Sequence, residues 1–325
     1  MRVIPRFSPA RTLERTVGAI NAIRTSRPAL ARSALMLTAL ASPALLGCLP
    51  LGPTLSMVPA AVDRSCTFDV TGALNNWLIS VPNGWTAGFQ GGGCYRIDGT
   101  LVVTNKANFM IDGDGATFRP GSVTGDASSI ESPSKAAHSR SQWRLVGGSH
   151  VTIQNMTIEG ADPSGTYNTK FETQHGIDIR GTEAVDINHV TIRNVFGDFV
   201  AFSQSPTSQS SGRIHDSTLS NAGRMGVSVT AAHHVSIDHN NISGVTYGLV
   251  DLEPEGTLHG ASIISVDCNH FGPGGGYMVG AISTYGAVSN VSVTGNSLTP
   301  NIMMTWKFPY GAPNPWVNFS GNYYA

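Results

Sequence analysis

"VSIDHNNI", residues 235–242, places two apolar side chains, Ile237 and Ile242, on either side of a polar kink that holds Asn240. The same register returns as "VTIQNMTI" (151–158), "VDINHVTI" (185–192) and "VSVTGNSL" (291–298). With looser copies included, the anchor pairs are Ile153…Ile158, Ile187…Ile192, Ile214…Leu219, Ile237…Ile242, Val266…Phe271, Val293…Leu298 and Phe319…Tyr324. Steps between first anchors are about 34, 27, 23, 29, 27 and 26 residues, the range in which a recurring pattern marks a solenoid. The third residue after the anchor is asparagine in four copies: Asn240, Asn269, Asn296 and Asn322. Equivalent asparagines stacked coil on coil form a ladder, which requires parallel strands in register.

A second strand follows several copies: "HGIDIRG" (175–181), "GDFVAF" (197–202), "MGVSVT" (225–230) and "YGLVDLE" (247–253). Two or three short strands per turn of about 25 residues, with no helical period between them, predict an all-β right-handed parallel β-helix. An antiparallel sandwich would require hairpin turns in place of this in-register period. Upstream, "FDVTGALNNWLISVP" (68–82) predicts a short amphipathic helix with Val70, Leu74, Trp77 and Leu78 on its apolar side and Asp69 or Thr71 as cap. That helix would cover the open N-terminal end of the solenoid. Loops are expected at 121–141, 161–174, 203–212 and 253–262, and loops on one flank of a solenoid often wall a binding groove.

The chain has 325 residues, 37 of them glycine, and a formal net charge of −1. Near-neutral charge argues against a nucleic-acid partner, which would need a basic stripe. The unbroken repeat predicts one β-helix domain over 61–325, with 1–60 set apart as export signal and linker. Arg2, Arg6, Arg11, Arg15, Arg24, Arg27 and Arg32 precede an apolar run from Ala34 to Leu49, and Glu14 is the one acidic residue before Asp63. A basic region, an apolar region and small residues make an export signal, which predicts a secreted or cell-surface protein. "LLGC" (45–48) has the form of a bacterial lipoprotein box, in which a lipid on Cys48 would be the link to a membrane; cleavage near Ala60 is the alternative. Cys66 and Cys94 are placed to close a disulfide in an oxidising compartment. Cys268, two residues after Val266, reads as a buried coil residue.

"CYRIDGTLVVTNKANFMIDGDGATF" (94–118) resembles the opening coils of the pectate-lyase-like superfamily of right-handed β-helix proteins. "NVFGDFVAF" (194–202), "HDSTLSNAGRMGVSVT" (215–230) and "GLVDLEPEG" (248–256) resemble bacterial secreted members of it without a settled activity. The resemblance covers roughly residues 66–325. It implies a polysaccharide partner and leaves the reaction open among lysis, epimerisation, hydrolysis and tailspike-like binding. It also admits calcium, although this chain has no clear version of the calcium-binding carboxylate cluster of pectate lyases, and Lys106, Lys135, Lys170 and Lys307 fall off the outward columns.

Because side chains alternate along a strand, the second strands can be aligned by their inward apolar pairs, read as Ile177/Ile179, Phe199/Ala201, Val227/Val229 and Val250/Leu252. One outward column is then Asp178, Val200, Ser228 and Asp251, and the next Arg180, Phe202, Thr230 and Glu253. On the other side lie Gly176, Asp198, Gly226 and Leu249, then Gln174, Phe196, Arg224 and Tyr247. Asp198, Arg224, Tyr247, Asp251 and Glu253 would share a patch roughly 20 Å across, with Gly176 and Gly226 leaving room for a sugar ring beside Asp198.

Asp251 and Glu253 point the same way about 6.8 Å apart, within the range of two-carboxylate glycosidases, and crowding pushes one such acid upward. They are the expected acid and base, with Asp198 as a third carboxylate. Arg224, Tyr247, His175, Asp178 and Arg180 are the expected substrate-binding residues. In a uronate lyase or C5-epimerase, Arg224 would hold the carboxylate and Tyr247 or His175 would move the proton. His233, His234 and His239 match no metal-ligand spacing and read as turn residues. The N-x-S/T triplets at Asn155, Asn241, Asn290 and Asn318 lie within the repeats, and Trp306, Tyr310 and Trp316 read as closing the last coil. "GPGGG" (272–276) opens no helix and is no phosphate loop. The expected function is cleavage of glycosidic bonds, with lyase, epimerase and non-catalytic glycan binder as alternatives.

Overall fold

The structure, a computed structural model, describes residues 54–121, 140–254, 260–281, 288–306 and 317–325. Each anchor of the repeat meets its counterpart in the next coil. Ile153, Ile187, Ile214, Ile237, Val266, Val293 and Phe319 are successive Cα partners in parallel pairings. Ile158, Ile192, Leu219, Ile242, Phe271, Leu298 and Tyr324 make a second row of the same kind. Another copy, Ile111 with Phe118, precedes them and pairs with Ile153 and Ile158. Its longer kink, residues 112–117, hides it from a pattern with a fixed gap.

The result is an all-β parallel solenoid of about nine turns. One sheet bends at the polar kinks; the other holds eight strands running from Leu101–Thr104 through Ile177–Arg180, Val200–Ser203, Val227–Val229 and Gly248–Leu252 to Met303–Trp306. The interior is a stack of fully buried aliphatic and aromatic side chains, among them Ile153, Ile187, Ile214, Ile237, Val266 and Val293. Burying one such side chain contributes about 1.5–3 kcal/mol, so each coil is stabilised mainly by its neighbours.

The kinks have a common backbone device. Asn155, His189, Asp216, His239 and Cys268 all take positive φ, between 49° and 55°, and Gly295 and Gly321 take 63° and 68° at the corresponding place. A left-handed residue interrupts the in–out alternation. Cys268 is therefore exposed, contrary to the expectation that its spacing from Val266 would bury it. The next position carries the ladder. Asn240 Oδ1 accepts the N–H of Ser217, Asn269 Oδ1 accepts that of Asn240, Asn296 Oδ1 that of Asn269, and Asn322 Oδ1 that of Asn296, at 2.9–3.1 Å. Each side-chain amide also donates to a carbonyl of the preceding coil, Asn269 to Ile237 at 2.8 Å for example.

The helix spans Thr71–Ser80 and buries Leu74, Trp77 and Leu78. Its N-cap is Val70, without a side-chain cap bond, so neither Asp69 nor Thr71 holds that place; Asp69 Oδ1 instead accepts the N–H of Thr71 at 3.0 Å. Asn75 donates to the Thr100 carbonyl and accepts the N–H of Val102, meeting the free edge of the first strand of the eight-stranded sheet. Cys66 and Cys94 are disulfide-bonded, with Cα atoms 5.0 Å apart. The solenoid's strands begin ahead of residue 61, since Thr54–Met57 pairs with Trp85–Gly88. Cys48, Lys135, Lys307, Tyr310 and Trp316 lie outside the described residues.

Candidate functional site

The eight-stranded sheet presents one outward column of Arg144, Asp178, Ala201, Ser228, Asp251 and Gly280. Two assignments made from alternation are corrected here. Ala201, not Val200, belongs to this column, and Ser203, not Phe202, is the partner of Arg180. Phe199, Val200, Ala201 and Phe202 are all buried, so the strand has no polar face to set its register, and a slip of one residue exchanges the faces. The glycines are also reassigned. A Cβ on Gly176 would lie 2.6 Å from both Ile192 Cγ2 and the Phe199 carbonyl, and one on Gly226 would lie 2.1 Å from the Leu249 carbonyl. Both serve close approach of backbone and leave no space for a ligand.

Asp178 and Asp198 have no exposed surface. Asp178 accepts from Arg144 Nε at 2.8 Å and Arg180 Nε at 2.9 Å. Burial works to raise its carboxyl, and the Arg180 and Arg144 charges with the Ser203 hydroxyl oppose it and favour the carboxylate. Asp198 accepts from Arg224 Nη1 at 2.9 Å, the Ser228 hydroxyl at 2.6 Å and the Met225 N–H at 3.1 Å. Arg224 donates its other nitrogen, Nη2, to Glu253 at 2.6 Å. Burial opposes its charge, yet Asp198 and Glu253 outweigh that and hold the guanidinium protonated.

His175 is buried, and its Nδ1 accepts the N–H of Asp198 at 3.0 Å. The 3.5 Å approach of the same nitrogen to Asp198 Oδ2 is therefore no ion pair, because Nδ1 carries no proton. Burial also pushes the imidazole down despite Asp198, which agrees with a neutral ring. The hydrogen-bond pattern puts its proton on Nε2.

Asp251 is fully buried. Tyr277 donates its hydroxyl to Oδ1 at 3.0 Å, and Oδ2 has no partner. Burial first, and the neighbouring Glu253 charge second, push this carboxyl up to about 8. The Tyr277 ring lies where a Cβ on Gly248 or Gly280 would come within 2.1 Å and 2.3 Å of it, so glycine at both places makes its seat. Glu253 is partly exposed at the mouth of the site.

Two clefts open over this network. One, of about 310 Å³, is lined by His175, Arg180, Ser203, Arg224, Glu253 and Glu172 among others. The second, of about 570 Å³, is lined by Tyr167, Tyr247, Tyr277, Met303 and again Arg224, Glu253 and Glu172. The loop 161–174 supplies Tyr167 and Glu172. It is pinned by Asn221 Nδ2, which donates to the Pro163 carbonyl at 3.1 Å, and by edge-on packing of Tyr167 on Tyr247 at 5.0 Å. Tyr167 donates to Glu172 at 2.5 Å, and that bond pushes the phenol up to about 12. Sequence reasoning missed Glu172, Tyr167 and Tyr277. Tyr277 was legible as a register partner of Gly248, but the loop residues had no repeat to align them.

Among the described residues, no three His, Cys, Asp or Glu side chains group as cation ligands. No protein-family model and no curated protein matches the chain. Solved structures do. An iota-carrageenase complexed to iota-carrageenan fragments aligns with a TM-score of 0.55 at 12% identity, over 82% of this chain and 60% of that one. An iota-carrageenase of family GH82 from A. fortis aligns with a TM-score of 0.50 at 15% identity, over 77% of this chain and 54% of that one. The chain thus spans little more than half the length of these two enzymes. What is shared at such identities is architecture, and that architecture is a right-handed parallel β-helix.

Proposed function

We propose that this is an exported carbohydrate-active protein that binds an extended polysaccharide across the outer face of its eight-stranded sheet and hydrolyses its glycosidic bonds. The observation that carries the reading is the Asp251/Glu253 pair beneath and beside two adjoining clefts. Hydrolysis needs a carboxylic acid that still holds its proton at neutral pH, and burial keeps Asp251 protonated up to about pH 8. Glu253, about 6.8 Å further along the chain, faces the clefts with Arg224. Tyr247, exposed on the second cleft, offers a stacking surface, and His175 Nε2–H and Arg180 offer donors to sugar oxygens. Asp178 and Asp198 orient these cations from below. The similar iota-carrageenase holds polysaccharide fragments, and the present groove is read as taking a polysaccharide as well.

Hydrolysis ranks above elimination or epimerisation because His175 bears its proton on Nε2 and accepts the backbone N–H at Nδ1. In that state it donates and has no free lone pair for a C5 proton. Binding without cleavage is the second reading, favoured by the complete burial of Asp251. The helix 71–80 acts as the N-terminal cover of the solenoid. Processing at Cys48, with a lipid there, leaves the strand Thr54–Met57 in place, whereas cleavage near Ala60 removes it.

The test is incubation of the chain from Cys48 with neutral, uronic and sulfated polysaccharides, followed by product masses. One added water per cut is expected, and it disappears in Asp251→Asn and Glu253→Gln. Products lacking that water and absorbing in the ultraviolet mean elimination. Binding of a glycan without any product leaves the binding protein.

A further inference from the structure

Resting on the hydrolytic reading, the structure also indicates what activates the water. A residue that does so must touch solvent in the cleft. Asp178, Asp198 and Asp251 have no exposed surface, and Asp198, which borders the first cleft, has its oxygens engaged by Arg224, Ser228 and the Met225 N–H, which removes all three. Glu253 and Glu172 remain, and each lines both clefts, so they stand where the two meet. Their surroundings differ. The Glu253 oxygen is committed to Arg224 at 2.6 Å, and Arg224 is itself fixed by Asp198. The Glu172 oxygen is met by a neutral phenol, Tyr167 Oη, at 2.5 Å. Tyr167 is braced against Tyr247, so the donor that aims Glu172 is itself held in place.

We propose that Glu172 is a catalytic residue, the general base that deprotonates the attacking water. A water oxygen bonds to the anomeric carbon while its proton passes to the Glu172 carboxylate. The bond from the anomeric carbon to the bridging oxygen breaks, and that oxygen takes a proton from Glu253, the member of the Asp251/Glu253 pair that lines the clefts. One water is consumed, and Glu172 ends protonated while the pair ends one proton short; exchange with solvent restores both. Because water attacks directly, the new hemiacetal has inverted configuration. Tyr167 is a positioning residue that keeps Glu172 aimed.

The experiment compares wild type, Glu172→Ala, Glu172→Gln and Tyr167→Phe on a polysaccharide that wild type cuts. Both Glu172 variants should lose about 100-fold or more in kcat, with glycan affinity and Tm close to wild type. Added azide should restore turnover in Glu172→Ala only, giving a glycosyl azide, and Tyr167→Phe should lower kcat about tenfold with little change in KM. NMR of the first wild-type product should show inversion. The proposal is overturned if Glu172→Ala keeps wild-type kcat while Asp251→Asn is inactive, or if the configuration is retained; the hydrolytic reading survives both results. Loss of folding in Glu172→Gln as well as Glu172→Ala, or failure of azide to rescue, makes Glu172 structural and also overturns it. Glycan binding by wild type without any product ends the hydrolytic reading and this proposal together.

Discussion

Asp251 shows how one buried side chain ties folding to pH. Its carboxyl stands near 3.9 in an unfolded chain and is raised to about 8 in the fold, where Oδ2 has no partner to stabilise a charge. A raised carboxyl favours folding most below its unfolded value. That contribution declines as pH rises from about 4 to about 8, where the native carboxyl ionises in turn, and is constant above. The slope it adds is up to about 1.4 kcal/mol per pH unit. Asparagine keeps the shape and cannot ionise, so urea unfolding of Asp251→Asn should show a flatter stability profile between pH 5 and 8 than wild type, with the variant the more stable at pH 8. Parallel profiles for the two proteins would mean that Asp251 is ionised in the native state.

The strand-to-strand kink is the element on which the solenoid depends. Each ladder asparagine accepts an N–H from the coil before it and donates to a carbonyl of the same coil, so one side chain satisfies backbone groups that no strand pairing reaches. Asn269→Ala leaves the Asn240 N–H and the Ile237 carbonyl without these partners inside the protein, and each such loss costs about 1–3 kcal/mol. Asn322 is the half-buried end rung, where water can take over. Thermal unfolding should therefore show a drop for Asn269→Ala about twice that for Asn322→Ala; equal drops would place the stabilisation elsewhere in the kink. The asparagine period was legible in the sequence because every coil repeats the same chemical need. Cys268 was misplaced because a left-handed residue carries no compositional mark when it is neither glycine nor asparagine.

At the scale of the molecule, a solenoid stabilised by nearest-neighbour coils tolerates large loops, and function can be placed on them. Replacing residues 163–170 with a short Gly-Ser linker removes Tyr167 and the Pro163 contact to Asn221 while sparing every paired strand. Circular dichroism should be unchanged and glycan affinity should fall about tenfold or more; unchanged affinity would move the binding face away from these clefts. The fold, the in-register rows of Ile187, Ile214 and Ile237, the buried helix face and the cluster of Arg224, Asp198 and Glu253 could all be read from residue spacing, because a parallel coil repeats one pattern of burial many times. The tertiary structure alone decided the face of Ala201, since four consecutive apolar residues carry no alternation, and alone brought Glu172 to the clefts, since a loop's path follows from packing and not from period. It also decided which carboxylates meet solvent: Asp251 and Glu253 look alike in sequence, and only the packing of Tyr277 over Gly248 and Gly280 buries the one and leaves the other at the surface.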